Sequence, residues 1–412
     1  MEPLLLVVRD TLRATAVALV SSVVLWWTFR IFPDASLRRL VASAPLVLYA
    51  AFAAVHLGPR PHQVPEGGLI LTAASALNLG FLAPVKALAG TVGRGPLADP
   101  RLSWGQFVCL HLLPILATYP GDAEEVMIKK AKPRKKDDRR SDSRRHHRRD
   151  QDVRRLVVSC ILHLGLALAV AAALQAPVPS SMIGSYMFPR HVAYVVGLHG
   201  ILATLLDLAG AVACAVVRLD PRPHHQNPLL ASTSVADFWR RWNIVTAQAL
   251  RMITYDPITE GSLVKKEVFV QYTDMKENAD GRTVRRKRTS TRSPSVIQMV
   301  TGTWATFIAS AVMHEYMMYV LTGNVSYQGR WTLFFALQGP LVVAESQLRR
   351  AWASSDGILR RWVYPCLSGI GLLWMGSHLF MVPCDKSGLT GQVMREMETV
   401  HTWLLRTAGR GG

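Results

Sequence analysis

The chain has 412 residues, 50% of them hydrophobic and 18% charged, with a mean hydropathy of +0.19 and a formal net charge of +19. Recurrent apolar runs of about 18 residues or more exclude an ordinary soluble domain and place the chain among polytopic α-helical membrane proteins. The positive excess would point to nucleic acid in a soluble chain, but here it falls in two inserts between apolar runs and reads as cytosolic loop, so no nucleic-acid partner is expected.

In chain order, the apolar runs at 11–31, 40–57, 68–89, 156–176, 191–217, 296–322, 331–348 and 362–382 predict an all-α transmembrane bundle of about eight spans. Trp26 and Trp27 are followed by no small-residue cleavage site, so the first run reads as an uncleaved span rather than a signal peptide. Gln106 to Thr118 is apolar but too short to cross and is interrupted by Pro114, which fits a re-entrant or interfacial segment. Cys109, Cys160, Cys214, Cys366 and Cys384 form no CxxC pair, so neither a disulfide framework nor a metal site is indicated. The organisation is then N-terminal helices with the interfacial segment (1–128), a basic insert (129–155), helices with a motif-bearing segment (156–263), a second basic insert (264–294), and a last group of helices with a luminal tail (295–412). Residues 129–155 are a low-complexity charge run, expected to be disordered near anionic headgroups. Lys and Arg concentrate on four alternate connections: around Arg30, Arg38 and Arg39, at 90–155, at 218–295, and from Arg349 to Arg361. The positive-inside rule makes that side cytosolic and puts both termini in the lumen.

Asn227 to Pro257, NPLLASTSVADFWRRWNIVTAQALRMITYDP, falls on the cytosolic side. Ser234 and Asp237 have capping-box spacing, and Val235, Phe238, Trp239, Trp242, Thr246, Ala249, Leu250 and Ile253 follow at helical period. Asp237, Arg240, Arg241, Gln248 and Arg251 fall on the opposite face. The pattern predicts one amphipathic helix lying at the membrane interface, with its tryptophans at headgroup depth. Asn243 sits at the edge of the apolar stripe, where an amide needs hydrogen-bond partners. Arg240 and Arg241 would attract the phosphates of an anionic carrier.

Val296 to Gly323 is apolar enough to span a bilayer, yet it holds His314 and Glu315 well inside its length. An ionisable residue there is costly and is a functional-site hypothesis by default; the competing reading is a neutral core histidine. Phe307, Ser310, Ala311, His314, Met317 and Met318 share one helical face, suited to lining a tunnel for a long apolar substrate. Glu315 points about 100° away. His199, Asp207 and Glu345 are further ionisable residues in spans, for which interhelical hydrogen bonding is the competing reading.

These stretches together resemble the wax synthase branch of the membrane-bound O-acyltransferases, the plant type in particular. The likeness runs from about residue 70 to 385. It rests on Lys86 followed by GRGPL at Gly93 to Leu97, LPI at Leu113 to Ile115, LLD at Leu205 to Asp207, and PLLASTSVADFWRRWN at Pro228 to Asn243. YDP at Tyr255 to Pro257, MHE at Met313 to Glu315, and AE at Ala344 and Glu345 complete the set. The resemblance implies a multi-pass enzyme of the endoplasmic reticulum membrane that transfers an acyl group from acyl-CoA to a hydroxyl, with Asn243 and His314 as the paired catalytic residues. Two departures stand out: Arg240 directly follows Trp239 where the family carries a glycine, and Gln338 replaces a histidine in LQG. His146 with Asp150 and His147 with Asp152 match acyltransferase spacings by chance only, without apolar or glycine context.

The chemistry expected is attack of an alcohol on a thioester, with His314 as general base and Asn243 as hydrogen-bond donor. Acyl-CoA is then a co-substrate and no cofactor is needed. The residues expected around the substrates are Asp237, Phe238, Trp239, Arg240, Arg241, Trp242, Ser310, Glu315, Met317, Met318, Gln338 and Glu345. The leading acceptor is a long-chain alcohol; a sterol, triterpenoid or diacylglycerol hydroxyl is the enzyme alternative. A transporter or non-catalytic lipid-binding protein is the alternative of another class, but it predicts inverted repeats or paired broken helices, and the sequence shows neither.

Overall fold

The computed structural model describes residues 2–58, 68–117, 138–175, 183–222, 224–265, 270–277, 283–289, 294–351 and 364–408. Its principal helices, in chain order, are α1 (Glu2–Ile31), α2 (Leu37–His56), α3 (Leu69–Thr91), α4 (Trp104–Leu112), α5 (Asp138–Gln175) and α6 (Ile183–Val217). Then come α7 (Val235–Arg241), α8 (Ile244–Leu250), α9 (Val296–Thr322), α10 (Arg330–Ala351), α11 (Pro365–Lys386) and α12 (Leu389–Ala408). Among the described residues, 6 helices are long and apolar enough to cross a membrane: α1, α3, α9 and α11 over most of their lengths, α5 from Asp150 and α6 from Met187. This is a multi-pass membrane protein. The two other expected spans are present as helices α2 and α10.

Polar side chains close the helix ends that the bilayer would leave unsatisfied. Arg39, nearly fully buried, donates from Nε to the Thr91 carbonyl at 2.9 Å and from Nη2 to the Gly90 carbonyl at 2.6 Å, closing the end of α3. The apolar segment around Pro114 does not cross. Gln106 meets Val217 at one end and Ala117 pairs with Pro221 at the other, so the segment turns back on itself. Its turn leaves carbonyls that need donors deep in the protein, and Lys86 supplies them, donating from Nζ to the Leu110 and Leu113 carbonyls at 2.6 Å each. Asn78 Nδ2 donates to the Leu112 carbonyl between them.

Three elements differ from the expectation. First, 138–155 is helical and continuous with the following span, where disorder was expected; residues 129–137 lie outside the described residues. Arginine is a good helix former, Asp150 with Arg154 and Asp152 with Arg155 have pairing spacings, and an adjoining span removes the nucleation cost. Second, the bundle is not wholly helical: β1 (Val270–Glu277) pairs antiparallel with β2 (Thr283–Thr289) in the second basic insert, where Val, Tyr and Thr favour strand. Third, the segment read as one interfacial helix is broken at Trp242 and Asn243 and packed inside the protein. Val245 and Ala249 of α8 lie against Leu82, Val85 and Ala89 of α3.

That break has a local cause. Asn243 leaves helical geometry, and its Oδ1 accepts from Thr246 N at 3.2 Å, making it the N-cap of α8. The backbone groups released by the break are taken by the preceding strand-like stretch: Gln226 N donates to the Arg241 carbonyl at 3.2 Å, and Ile244 N donates to the His224 carbonyl at 3.1 Å. The Arg241 carbonyl and the Ile244 N–H on either side of the break are both satisfied in this way.

Candidate active site

α3, α5, α6 and the α7–α12 group enclose a cavity of about 960 Å³. None of its lining residues is Asp, Glu, Lys or Arg; the wall is Leu, Ile, Val, Ala, Met and aromatic rings, interrupted by a few neutral polar side chains. Such a wall suits a hydrocarbon chain. π-helical turns occur in three of the surrounding elements, at Ala76–Leu82, Arg251–Tyr255 and Gly376–Met381, and each shifts the helical register beside the cavity.

His314 reaches the cavity from α9. Its Nδ1 lies 2.7 Å from the Ser310 carbonyl oxygen, which can only accept, so Nδ1 carries the proton and Nε2 keeps its lone pair. The ring stacks on Phe335 at 3.8 Å between centroids and 20° between planes, and Trp331 and Phe380 meet it edge-on. Those two are themselves stacked, and Trp331 Nε1 donates to the Phe380 carbonyl at 2.8 Å. The imidazole is thus fixed in tautomer and in plane.

Asn243 lines the same cavity from the break between α7 and α8. Because Thr246 N–H is a donor, the atom that accepts from it must be Oδ1; the amide orientation follows, and Nδ2 has no partner among the described residues. One cavity therefore holds an imidazole with a free acceptor and an amide with a free donor. That is the pairing needed to take a proton from one oxygen and stabilise negative charge on another.

The other expected site residues divide cleanly. Phe238, Trp239, Trp242, Ser310 and Met317 line the cavity, as does Phe307 from the predicted face. Met318 and Ala311 do not: both are fully buried in packed clusters, Met318 beside Leu69 and Trp331, Ala311 beside Phe334 and Phe335. Gln338, with no exposed surface, stands behind the wall, accepting from Trp239 Nε1 at 3.0 Å and donating to the Phe334 carbonyl at 3.0 Å. Glu345 accepts from Val235 N at 3.1 Å and Ala236 N at 3.2 Å, closing the start of α7.

Glu315 faces away from the cavity and accepts from the backbone and hydroxyls of Ser326 and Thr332 at the turn into α10. Asp237 is also spoken for, by Arg240 at 2.6 Å, Arg241 at 3.0 Å and Thr233 N at 3.1 Å. Burial opposes its charge, yet these hydrogen bonds and the neighbouring guanidinium groups hold the carboxyl down at about 2. Arg240 remains largely exposed beyond that pair, whereas Arg241 also donates to the Gln226 carbonyl. Asp207 does join helices: it accepts from Ser159 Oγ at 2.7 Å and pairs with His163 Nδ1 at 2.9 Å across α5 and α6. His199 packs against His225 and Trp242 behind the wall. Among the described residues, no group of three or more His, Cys, Asp and Glu is arranged to hold a metal ion.

Sequence reasoning missed the walls contributed by α3, α6 and above all α12, which was read as a luminal tail. The signal was present, since Leu389, Val393, Met397, Val400 and Leu404 recur at helical spacing.

A multi-pass helical protein whose apolar internal cavity is lined by His314 and Asn243 is the class defined by this geometry. No family model matches the chain. Among curated proteins it is 31% identical over 199 residues to "Probable long-chain-alcohol O-fatty-acyltransferase 7" of Arabidopsis thaliana, covering 48% of this chain and 46% of that protein. The chain thus spans about half the length of this relative, and likewise 49% of the Arabidopsis protein named "Probable long-chain-alcohol O-fatty-acyltransferase 3". Against "Long-chain-alcohol O-fatty-acyltransferase" of Simmondsia chinensis it is 25% identical over 367 residues, 87% of this chain and 84% of that protein.

Proposed function

We propose that the protein is an acyl-CoA-dependent O-acyltransferase of the endoplasmic reticulum membrane that esterifies a long-chain alcohol. The observation carrying this reading is that His314 and Asn243 line one cavity, the ring's Nε2 and the amide's Nδ2 having no partner among the described residues, in a wall with no Asp, Glu, Lys or Arg. The names of the relatives support it. In the reaction, His314 Nε2 takes the hydroxyl proton as the alcohol oxygen attacks the thioester carbonyl carbon. The carbonyl π electrons move to oxygen, and Asn243 Nδ2–H donates to the resulting oxyanion. When that intermediate collapses, the carbon–sulfur bond breaks, and the proton on His314 passes to the departing thiolate, so His314 is regenerated neutral.

A sterol acceptor is the second reading, favoured by 24% identity over 173 residues to "Acyl-CoA--sterol O-acyltransferase 1" of Arabidopsis thaliana. The test is microsomes expressing the full chain, given labelled acyl-CoA with fatty alcohols, sterols and diacylglycerol in parallel. Labelled wax ester is the expected product. Steryl ester in its place moves the acceptor, and no ester from any of them overturns the reading.

A further inference from the structure

α12 is the last described helix, yet it is docked as firmly as a span. Glu396 accepts from Leu69 N and, at 3.0 Å, from Ile70 N, closing the start of α3. At its other anchor Thr390 Oγ1 donates to Asp385 at 2.6 Å, and Asp385 pairs with His191 Nε2 at 2.8 Å. His191 is nearly fully buried and its Nδ1 meets Ser377 Oγ at 2.7 Å. These contacts tie α12 to α3, α6 and α11 at once. Held this way, α12 turns Val393, Met394 and Met397 onto the cavity, with Met397 also packed on Ala167 and Ala171 of α5.

The cavity has a direction along α9. Thr306, Ser310, His314, Met317 and Leu321 line it in succession, about 22 Å at 1.5 Å per residue. Thr306 bonds to Thr254 near the α8 end, whereas Leu321 clusters with Leu389 and Val393 at the α12 end. The α12 wall therefore stands about 10 Å beyond His314. Exposed Arg240 and the Arg349 donor to the Thr233 carbonyl ring the loop at the other end. A thioester at His314 with its charged carrier toward those arginines directs its hydrocarbon tail at α12.

Resting on the acyl-transfer reading above, we propose that α12 is the floor of the acyl-chain subsite and that Val393 and Met394 set which chain lengths are accepted. An octanoyl chain ends near this wall. Longer chains must bend along it, so added bulk there penalises long chains selectively.

The experiment uses microsomes with the full-length protein, one fatty alcohol, and octanoyl-, palmitoyl- and lignoceroyl-CoA in competition. For Met394→Trp and Val393→Phe, the ratio of palmitoyl to octanoyl transfer should fall about tenfold, the discrimination that a small change of pocket volume gives. Met394→Ala should move the ratio of lignoceroyl to palmitoyl transfer upward. Equal losses at all chain lengths in both bulky variants overturn the proposal, and so does a changed alcohol preference with an unchanged acyl profile. Wild-type microsomes that transfer no acyl group overturn the acyltransferase reading itself, which separates the two failures.

Discussion

The two faces of α9 carry adjacent residues put to opposite uses. On one face, Glu315 accepts hydrogen bonds from two backbone N–H groups and two hydroxyls, so its carboxylate is saturated and the turn into α10 is tied down. On the other, His314 spends one ring nitrogen on its own helix and leaves the second free beside the void. The contrast recurs across the molecule. Arg39, Lys86, Glu345 and Glu396 are ionisable side chains outside the cavity and bonded to helix ends, whereas Asn243 is an amide in the wall and half-used. Where water is scarce, an ionisable side chain is tolerated when its bonding capacity is filled, so such side chains mark scaffolding here. A neutral group with one vacancy marks the place where a substrate fits.

The contrast breaks most visibly at His314. Replacing it with Ala should lower turnover about 10²–10⁴-fold while the protein still inserts, because a positioned base is lost and no helix end is opened. Normal acyl transfer by a well-expressed mutant ends the assignment. At Asn243 the two halves of the amide can be separated. Asn243→Asp keeps an N-cap acceptor for Thr246 N but has no donor, so thermal inactivation should stay near wild type while turnover falls about 10²-fold. Retained turnover would move the donor role elsewhere.

Gln338→Leu leaves Trp239 Nε1 without its acceptor. The expected result is a several-fold rise in KM with a smaller change in kcat, as one aromatic wall residue loses its orientation. Glu315→Gln should do the reverse of His314→Ala, costing about 1–3 kcal/mol of stability in a melt while turnover per folded molecule is unchanged. A catalytic defect without a stability defect would place Glu315 in the reaction. Smallest of all, deleting Lys129 to Arg149, ahead of the apolar part of α5, should leave turnover within about twofold, since a sequence this rich in charge offers little apolar surface to bury.

Much of this was readable from periodicity. A run of apolar residues predicts a helix, and i, i+3, i+4 spacing predicted that Phe307, Ser310, His314 and Met317 look the same way. The position of Asn243 was legible only as an oddity in an apolar stripe. Its effect, splitting one helix in two, depends on the 224–226 stretch arriving to satisfy the broken ends. Likewise Glu315 and Glu345 looked like substrate ligands because intramembrane carboxylates are costly, and their partners are residues far along the chain or past a turn. Periodicity assigns a face to a side chain but says nothing of which helix end will be docked against it.

The lysine that closes the re-entrant turn has a consequence for how the protein is made. α3 leaves the ribosome with Lys86 inside its apolar length, well before α4 and the carbonyls of Leu110 and Leu113 exist to receive it. Threaded alone, Lys86 meets hydrocarbon without an acceptor, a cost that reaches about 2.5–3.5 kcal/mol at a helix centre and falls toward the span end where Lys86 sits. Biogenesis of the N-terminal third therefore has an order: α3 settles to its final depth only as the re-entrant segment folds in beside it, and a nascent chain stopped short of Trp104 should hold α3 in a shallower, more readily extracted state.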